Sequence, residues 1–150
     1  PRVGGFEGGT VTWAPTNITY GHNNRSAQFR LPQNRYCIEN RAADMTMNVY
    51  LAMAMTLSAA VEGVKKKINP GNPTDRDLYQ MTEDEFKKLN IKRLPKNLLQ
   101  AIELLKKDKL VEEVLGTVMK KSFISYKNDE WERYHQAVTD WEVKEYLRLY

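Results

Sequence analysis

Five residues in one short stretch could do chemistry together: Arg25, Arg30, Arg35, Glu39 and Arg41 lie within seventeen positions. A guanidinium offers several donors in a fixed planar fork, so a cluster of them suits phosphate or carboxylate oxyanions. The carboxylate of Glu39 either pairs with an arginine or gives a hard oxygen ligand to a divalent cation. Taken alone, these residues favour a solvated sheet face with cross-strand ion pairs, and leave phosphate recognition with a metal-ligating Glu39 as the alternative.

Other chemical candidates are weaker. Gly4 and Gly9 have the spacing of a phosphate loop, but Thr10 stands where such a loop needs lysine, so a mobile surface loop is expected. His22 lies in an Asn-rich turn and His135 on a helical pattern, neither with a metal-spaced companion. Cys37 has no histidine base near it in sequence. Trp131 and Trp141 occupy apolar helical positions and should pack, whereas Trp13 opens a strand next to the glycine segment.

The elements that must position the arginine cluster follow from patterning. β-Branched and aromatic residues run from Val11 to Tyr20, Gly21-His22-Asn23-Asn24 reads as a turn, and an extended pattern resumes from Ser26 to Leu31. This predicts a hairpin. From Arg35 to Ala43 the residues alternate, with Arg35, Cys37, Glu39 and Arg41 on one face, which predicts a third strand with a charged side. From Thr46 the period turns helical: Val49, Met53, Leu57, Ala60, Val61 and Val64 mark one face, and Tyr50, Leu51 and Met55 lie elsewhere around the axis. A helix so widely apolar is expected in a core, and Asn69-Pro70-Gly71-Asn72-Pro73 ends it near Lys67. Capping boxes at Thr82/Glu85, Asn97/Gln100 and Thr139/Glu142 announce three later helices. A short helix from about Lys109 to Leu115 precedes a long one marked by Thr117, Ile124, Trp131 and Val138. Strands first and helices after predict an α+β fold, with antiparallel strands in the first third and a helical C-terminal portion.

Composition narrows the partners. The 150 residues are 41% hydrophobic and 28% charged, ordinary for a globular protein. The net charge is +4, but acidic and basic residues interleave, and the basic run Lys65-Lys66-Lys67 sits at a helix end, so no nucleic acid is expected. The most apolar stretch, Met45 to Val61, is too short and too polar for a span of about 20 residues, so no membrane is expected. One cysteine offers no disulfide framework, and a cytoplasmic setting is expected. The chain opens on Pro1 and runs into glycines, which reads as an internal cut.

Trp13-Ala14-Pro15, Asn24-Arg25-Ser26-Ala27, Arg30-Leu31-Pro32, Ile38-Glu39-Asn40-Arg41, Asp44 and Asn48-Val49-Tyr50-Leu51-Ala52 occur in an order and spacing that resembles the C-terminal signature of the glutamine synthetase superfamily. The resemblance continues through Gly63, Asn69-Pro70-Gly71, Leu94-Pro95, Leu115-Gly116 and Glu130-Trp131-Glu132 to Val138-Thr139-Asp140-Trp141-Glu142 and Glu145-Tyr146. It implies an ATP-dependent ligase joining glutamate to ammonia or a small amine through γ-glutamyl phosphate, with ATP and Mg²⁺ or Mn²⁺ as cofactors. By the same resemblance Arg25 and Arg30 are catalytic and hold nucleotide phosphates, Glu39 is a metal ligand, and Arg41 binds substrate glutamate. A dodecamer-like double ring is implied as the homo-oligomer. Residues 1–150 would be the C-terminal part of the catalytic domain, with the N-terminal β-grasp domain and the first part of the catalytic domain preceding Pro1 and no ligase activity in the 150 residues alone.

Two positions depart from the common pattern. Trp13 stands where bacterial-type members place a flap glutamate at the amine site, which resembles the branch containing type III enzymes and γ-glutamylmethylamide synthetases. Cys37 stands where many relatives carry an ATP-contacting arginine, and Arg35, on the same expected face, is the candidate replacement. A non-catalytic nucleotide-binding relative is the reading from another class; retention of Glu39 with Arg41 speaks for catalysis.

Overall fold

The computed structural model describes residues 14–147, and the chain divides into two units, Pro1–Lys96 and Asn97–Tyr150. In the first unit, β1 (Asn17–Ile18) pairs antiparallel with β5 (Lys92–Arg93). β2 (Tyr20–His22), β3 (Phe29–Leu31) and β4 (Glu39–Asn40) form a separate three-stranded sheet in the order β2-β3-β4. The α+β expectation holds, and β3 and β4 are antiparallel with Arg30 opposite Glu39.

The expected hairpin does not form. β2 and β3 run parallel, with Tyr20 opposite Phe29 and His22 opposite Leu31. Gly21 is a buried strand residue, and the reversal is made further on, around Asn24. The Asn24 Oδ1 accepts from the Ser26 amide at 2.9 Å and the Ser26 hydroxyl at 2.7 Å, a local turn of the kind asparagine favours. Its Nδ2 donates outward to the carbonyls of Thr74 and Arg76 at 2.6 and 2.8 Å. The chain therefore circles Asn24 and re-enters the sheet in its original direction. The predicted third strand is also shorter than expected: Pro32 and a turn through Arg35, whose carbonyl accepts from the Cys37 amide at 3.1 Å, leave only Glu39–Asn40 extended in the ladder.

The segment that Asn24 grips comes from beyond the main helix and straps across β2. Thr74 N donates to the Tyr20 carbonyl at 2.8 Å, and the Tyr20 hydroxyl donates to the Gly71 carbonyl at 2.8 Å. Beneath it, Ala27, Leu78, Met81 and Phe86 form the buried core, with Ile91 packed against them. Leu78 opens a 3₁₀ turn, Leu78–Gln80, whose first amide donates to Ser26 Oγ at 3.0 Å. α2 (Glu83–Lys88) follows behind the expected Thr82/Glu85 capping box and buries Phe86.

α1 spans Val49–Lys65 and starts on Asn48, whose side chain accepts from the Tyr50 and Leu51 amides. Its predicted burial is not observed. No residue of α1 is buried, and Val49, Met53, Leu57 and Val61 are each 51–58% exposed. The wide apolar girth does mark a helix, but in the first unit the core forms from Ala27 and the segment after residue 77 instead.

In the second unit, α3 (Leu98–Lys107) begins on Asn97, which accepts from the Gln100 amide at 2.9 Å. α4 (Lys109–Gln136) is interrupted at Gly116, where φ is 72° and ψ 162°, so the expected short-then-long pair is observed. Ile102 and Val111 are buried, and Lys120 reaches back past the interruption to the Asp108 carbonyl at 3.1 Å and Glu112 at 3.4 Å. α5 (Asp140–Tyr146) starts with the Thr139/Glu142 capping box. Trp131 packs on His135 with ring centroids 3.7 Å apart, whereas Trp141, expected to pack, is 62% exposed and meets only the edge geometry of Tyr146 among the described residues.

Two substitutions probe the strap. Asn24→Ala removes the donor to the Thr74 and Arg76 carbonyls and the acceptor for the Ser26 amide and hydroxyl, and should cost about 3 kcal/mol in urea unfolding. At Gly21 an added Cβ would lie 2.8 Å from the Asn24 Cβ and closer still to the Thr74 carbonyl oxygen. Gly21→Ala should therefore lower stability by about 2 kcal/mol, read by the same denaturation.

Candidate active site

The charged cluster is assembled by the β3–β4 pairing. Because Arg30 and Glu39 are opposite each other in the ladder, their side chains share a sheet face. Arg30 Nη1 donates to both Glu39 oxygens, at 3.1 and 3.0 Å. Arg35 Nη2 donates to Glu39 Oε1, and Arg41 Nη1 lies 3.8 Å from Oε2. Arg30, Glu39 and Arg41 are partly enclosed, with side chains 15%, 22% and 24% exposed, while Arg35 is 60% exposed.

The arginines are held from behind as well. Arg30 Nη2 donates to Asn23 Oδ1. Arg41 Nε donates to the Arg25 carbonyl at 3.0 Å, and the Arg41 amide to the Gln28 carbonyl at 2.8 Å. Arg25 thus joins the cluster through its backbone, and its side chain is exposed. Arg30 Nε is buried without an acceptor among the described residues.

Hydrogen bonding from Arg30 is the main reason the Glu39 carboxyl is held below the usual glutamate range; partial burial opposes the shift, and Arg35 adds to it. Three guanidiniums surround one carboxylate, so the set keeps a surplus of two positive charges. Such an excess on a sheet edge suits a polyanion.

Sequence-predicted residues divide clearly. Arg30, Arg35, Glu39 and Arg41 come together, with Arg25 adjoining. Trp13 and the glycine segment Gly4–Gly9 lie outside the described residues. Cys37 is exposed and has a free thiol. His135 Nδ1 donates to the Trp131 carbonyl, 2.9 Å away, a helix-surface role.

Two partners were not foreseen. Asn23 steadies Arg30, and Asp75 holds His22 through its backbone amide at 2.6 Å and its ring Nδ1 at 3.1 Å. The hydrogen bond from the His22 amide is the largest cause of the lowered Asp75 pKa. An asparagine pair in a turn was the available signal for Asn23; nothing in sequence linked residues 22 and 75, which are 53 positions apart.

A hard divalent cation would find an ionised oxygen ligand at Glu39. Among the described residues no three His, Cys, Asp or Glu side chains gather as a metal site, so Glu39 alone fits only as a single ligand. No helix among the described residues is long and apolar enough to cross a membrane.

The fold and the cluster together define an α+β protein with an arginine-rich sheet edge. A family model described as the glutamine synthetase catalytic domain matches residues 10–146, and the chain belongs to that family. It is 40% identical over 137 residues to a glutamine synthetase of Methanocaldococcus jannaschii, covering 89% of this chain and 30% of that protein. It is likewise 40% identical over 140 residues to a glutamate–methylamine ligase of Methyloversatilis universalis, covering 93% and 31%. Among solved structures, a GmaS–ADP complex superposes with a TM-score of 0.80 at 34% identity, covering 93% of this chain and 32% of the other. The chain thus spans about a third of the length of the relatives it matches.

The pH dependence has a definite sign. The folded state lowers the Glu39 pKa, so its contribution is complete above the unfolded value and is lost as pH falls through the folded one. The stability advantage of the wild type over Glu39→Gln should shrink between about pH 6 and about pH 3, measured as the shift in urea midpoint.

Proposed function

We propose that this chain supplies the carboxylate-activating face of an ATP-dependent ligase that joins glutamate to ammonia or a small amine through γ-glutamyl phosphate. The observation that carries this is the Glu39 carboxylate held among Arg30, Arg35 and Arg41, in a chain of the glutamine synthetase catalytic-domain family. A carboxylate oxygen is a poor leaving group, and its conversion to an acyl phosphate allows an amine to displace phosphate.

In this reading Arg25, Arg30 and Arg35 bind the phosphate oxygens of ATP and of the acyl phosphate, stabilising negative charge where it develops. Arg41, fixed by the Arg25 carbonyl, orients the reacting carboxylate of glutamate. Glu39 would help hold Mg²⁺ or Mn²⁺, which when bound offsets phosphate charge. The coexistence of Glu39 and Arg41 within 3.8 Å favours catalysis over a nucleotide-binding regulator. A homo-oligomeric double ring in the cytoplasm belongs to the same proposal.

A second reading concerns the amine. Trp13 occupies the position before Ala14-Pro15, and an indole cannot accept a proton from ammonium but gives an alkyl group a flat wall. The glutamate–methylamine ligase at 40% identity supports methylamine as a substrate.

The test is a fusion of this chain behind the first two thirds of that ligase. It should form γ-glutamyl amide with ATP, and Arg41→Gln or Glu39→Gln should lower kcat/KM by about a hundredfold or more. No turnover by a folded fusion would overturn the proposal. The 150 residues alone should show none, because among the described residues no other carboxylate, imidazole or thiol set joins Glu39 as a metal centre. With ammonia and methylamine supplied together, formation of glutamine alone would reject the amine reading.

A further inference from the structure

Ala14 and Pro15 lead into β1, and they limit how the chain can be fixed there. Pro15 has no amide proton to give, and it confines Ala14 to extended backbone. From Thr16 onward the strand pairing takes over: the Thr16 carbonyl accepts from the Leu94 amide at 2.8 Å, and Asn17 stands opposite Arg93. The Ala14 carbonyl lies before that ladder and accepts instead from the hydroxyl of Tyr79, 65 positions away.

Tyr79 is itself held in place. It is the middle residue of the 3₁₀ turn Leu78–Gln80, its amide donates to Asp77 Oδ1 at 3.0 Å, and the Leu78 amide seats the turn on Ser26 Oγ at 3.0 Å. Burial pushes the Tyr79 phenol up, the Asp77 carboxylate pushes it further, and the Arg41 guanidinium draws it back. The hydroxyl therefore stays protonated as a donor, and Arg41 is near enough for its charge to act on the ring.

We infer that Tyr79 is a positioning residue for amine selection: it anchors the Ala14 peptide, to which Trp13 is bonded, at a fixed place relative to Arg41, and so sets the preference between methylamine and ammonia. The inference rests on the amine reading proposed above and supplies the contact through which the strap acts on it. Tyr79 touches neither the amine nor glutamate in this account and works through the Ala14 carbonyl.

The size of each effect separates positioning from a plain structural tie between the strap and the start of β1. Loss of a structural tie lowers turnover of every substrate alike. Loss of positioning acts unequally, because the methyl group of methylamine gains from an apolar wall and ammonia has no carbon to place against one.

Tyr79→Phe removes the hydroxyl and keeps the ring, and the fusion described above is the protein to carry it. The ratio of kcat/KM for methylamine to kcat/KM for ammonia should fall about fivefold or more, the scale of one neutral hydrogen bond or one methyl contact. KM for ATP and for glutamate should stay within about twofold of wild type. In the 150-residue chain with labelled backbone carbonyls, the carbon resonance of Ala14 should move upfield in Tyr79→Phe, and that of Thr16, bonded to Leu94, should not move. An Ala14 resonance that stays in place overturns the anchoring contact. An unchanged amine ratio, including an equal loss for both amines, overturns the positioning role and leaves the ligase reading intact. Glutamine as the sole product of the wild-type fusion rejects the amine reading and this inference with it, whereas no turnover at all by the folded fusion rejects the ligase reading.

Discussion

A single buried amide sets the geometry of the first unit. Asn24 uses both of its donors on backbone carbonyls fifty or more residues away, and its oxygen on Ser26. Burying an amide is costly unless its partners are all present, so this arrangement forms completely or not at all. The strap from Gly71 to Leu78, the parallel entry of β3 and the seating of Ala27 over Leu78 all depend on it. Arg30 and Glu39 then face each other because β3 has been set in that register.

The charge cluster shows why local ion pairs and ligand chemistry are hard to separate by inspection. Cross-strand pairing, the plain expectation for such residues, is what the geometry shows. The family relation shows that the same residues lie in the part of the molecule matched by the glutamine synthetase catalytic domain. The two descriptions are compatible, since an ion pair on a strand edge contributes little to stability.

Much of this was legible in the chain. The later helix starts were, because an N-cap is a short-range device: Thr82, Asn97 and Thr139 each accept from the amide three residues ahead. So was the sharing of one neighbourhood by Arg30, Arg35, Glu39 and Arg41, since they lie close in sequence, although Arg35 reaches Glu39 from a turn and not from the expected strand face. Strand direction was not, because the turn residues from Gly21 to Asn24 look the same whether the chain doubles back or circles. What decided it was the pair of carbonyls at Thr74 and Arg76, beyond any local window. The exposure of α1 is not legible for a related reason: apolar girth reports what a helix can bury, not which neighbour reaches it.

Gly116 interrupts α4 with a positive φ, yet nothing lies within 4 Å of where its Cβ would be. The demand at this position is therefore one of handedness and not of size. A mirror-image residue of any modest volume, such as D-alanine, would sit there without protest, whereas its L-counterpart, with the same atoms, would press the two segments toward one continuous rod. The joint that lets Lys120 fold back toward Asp108 is thus written in chirality, which a substitution table ranked by bulk or polarity does not register.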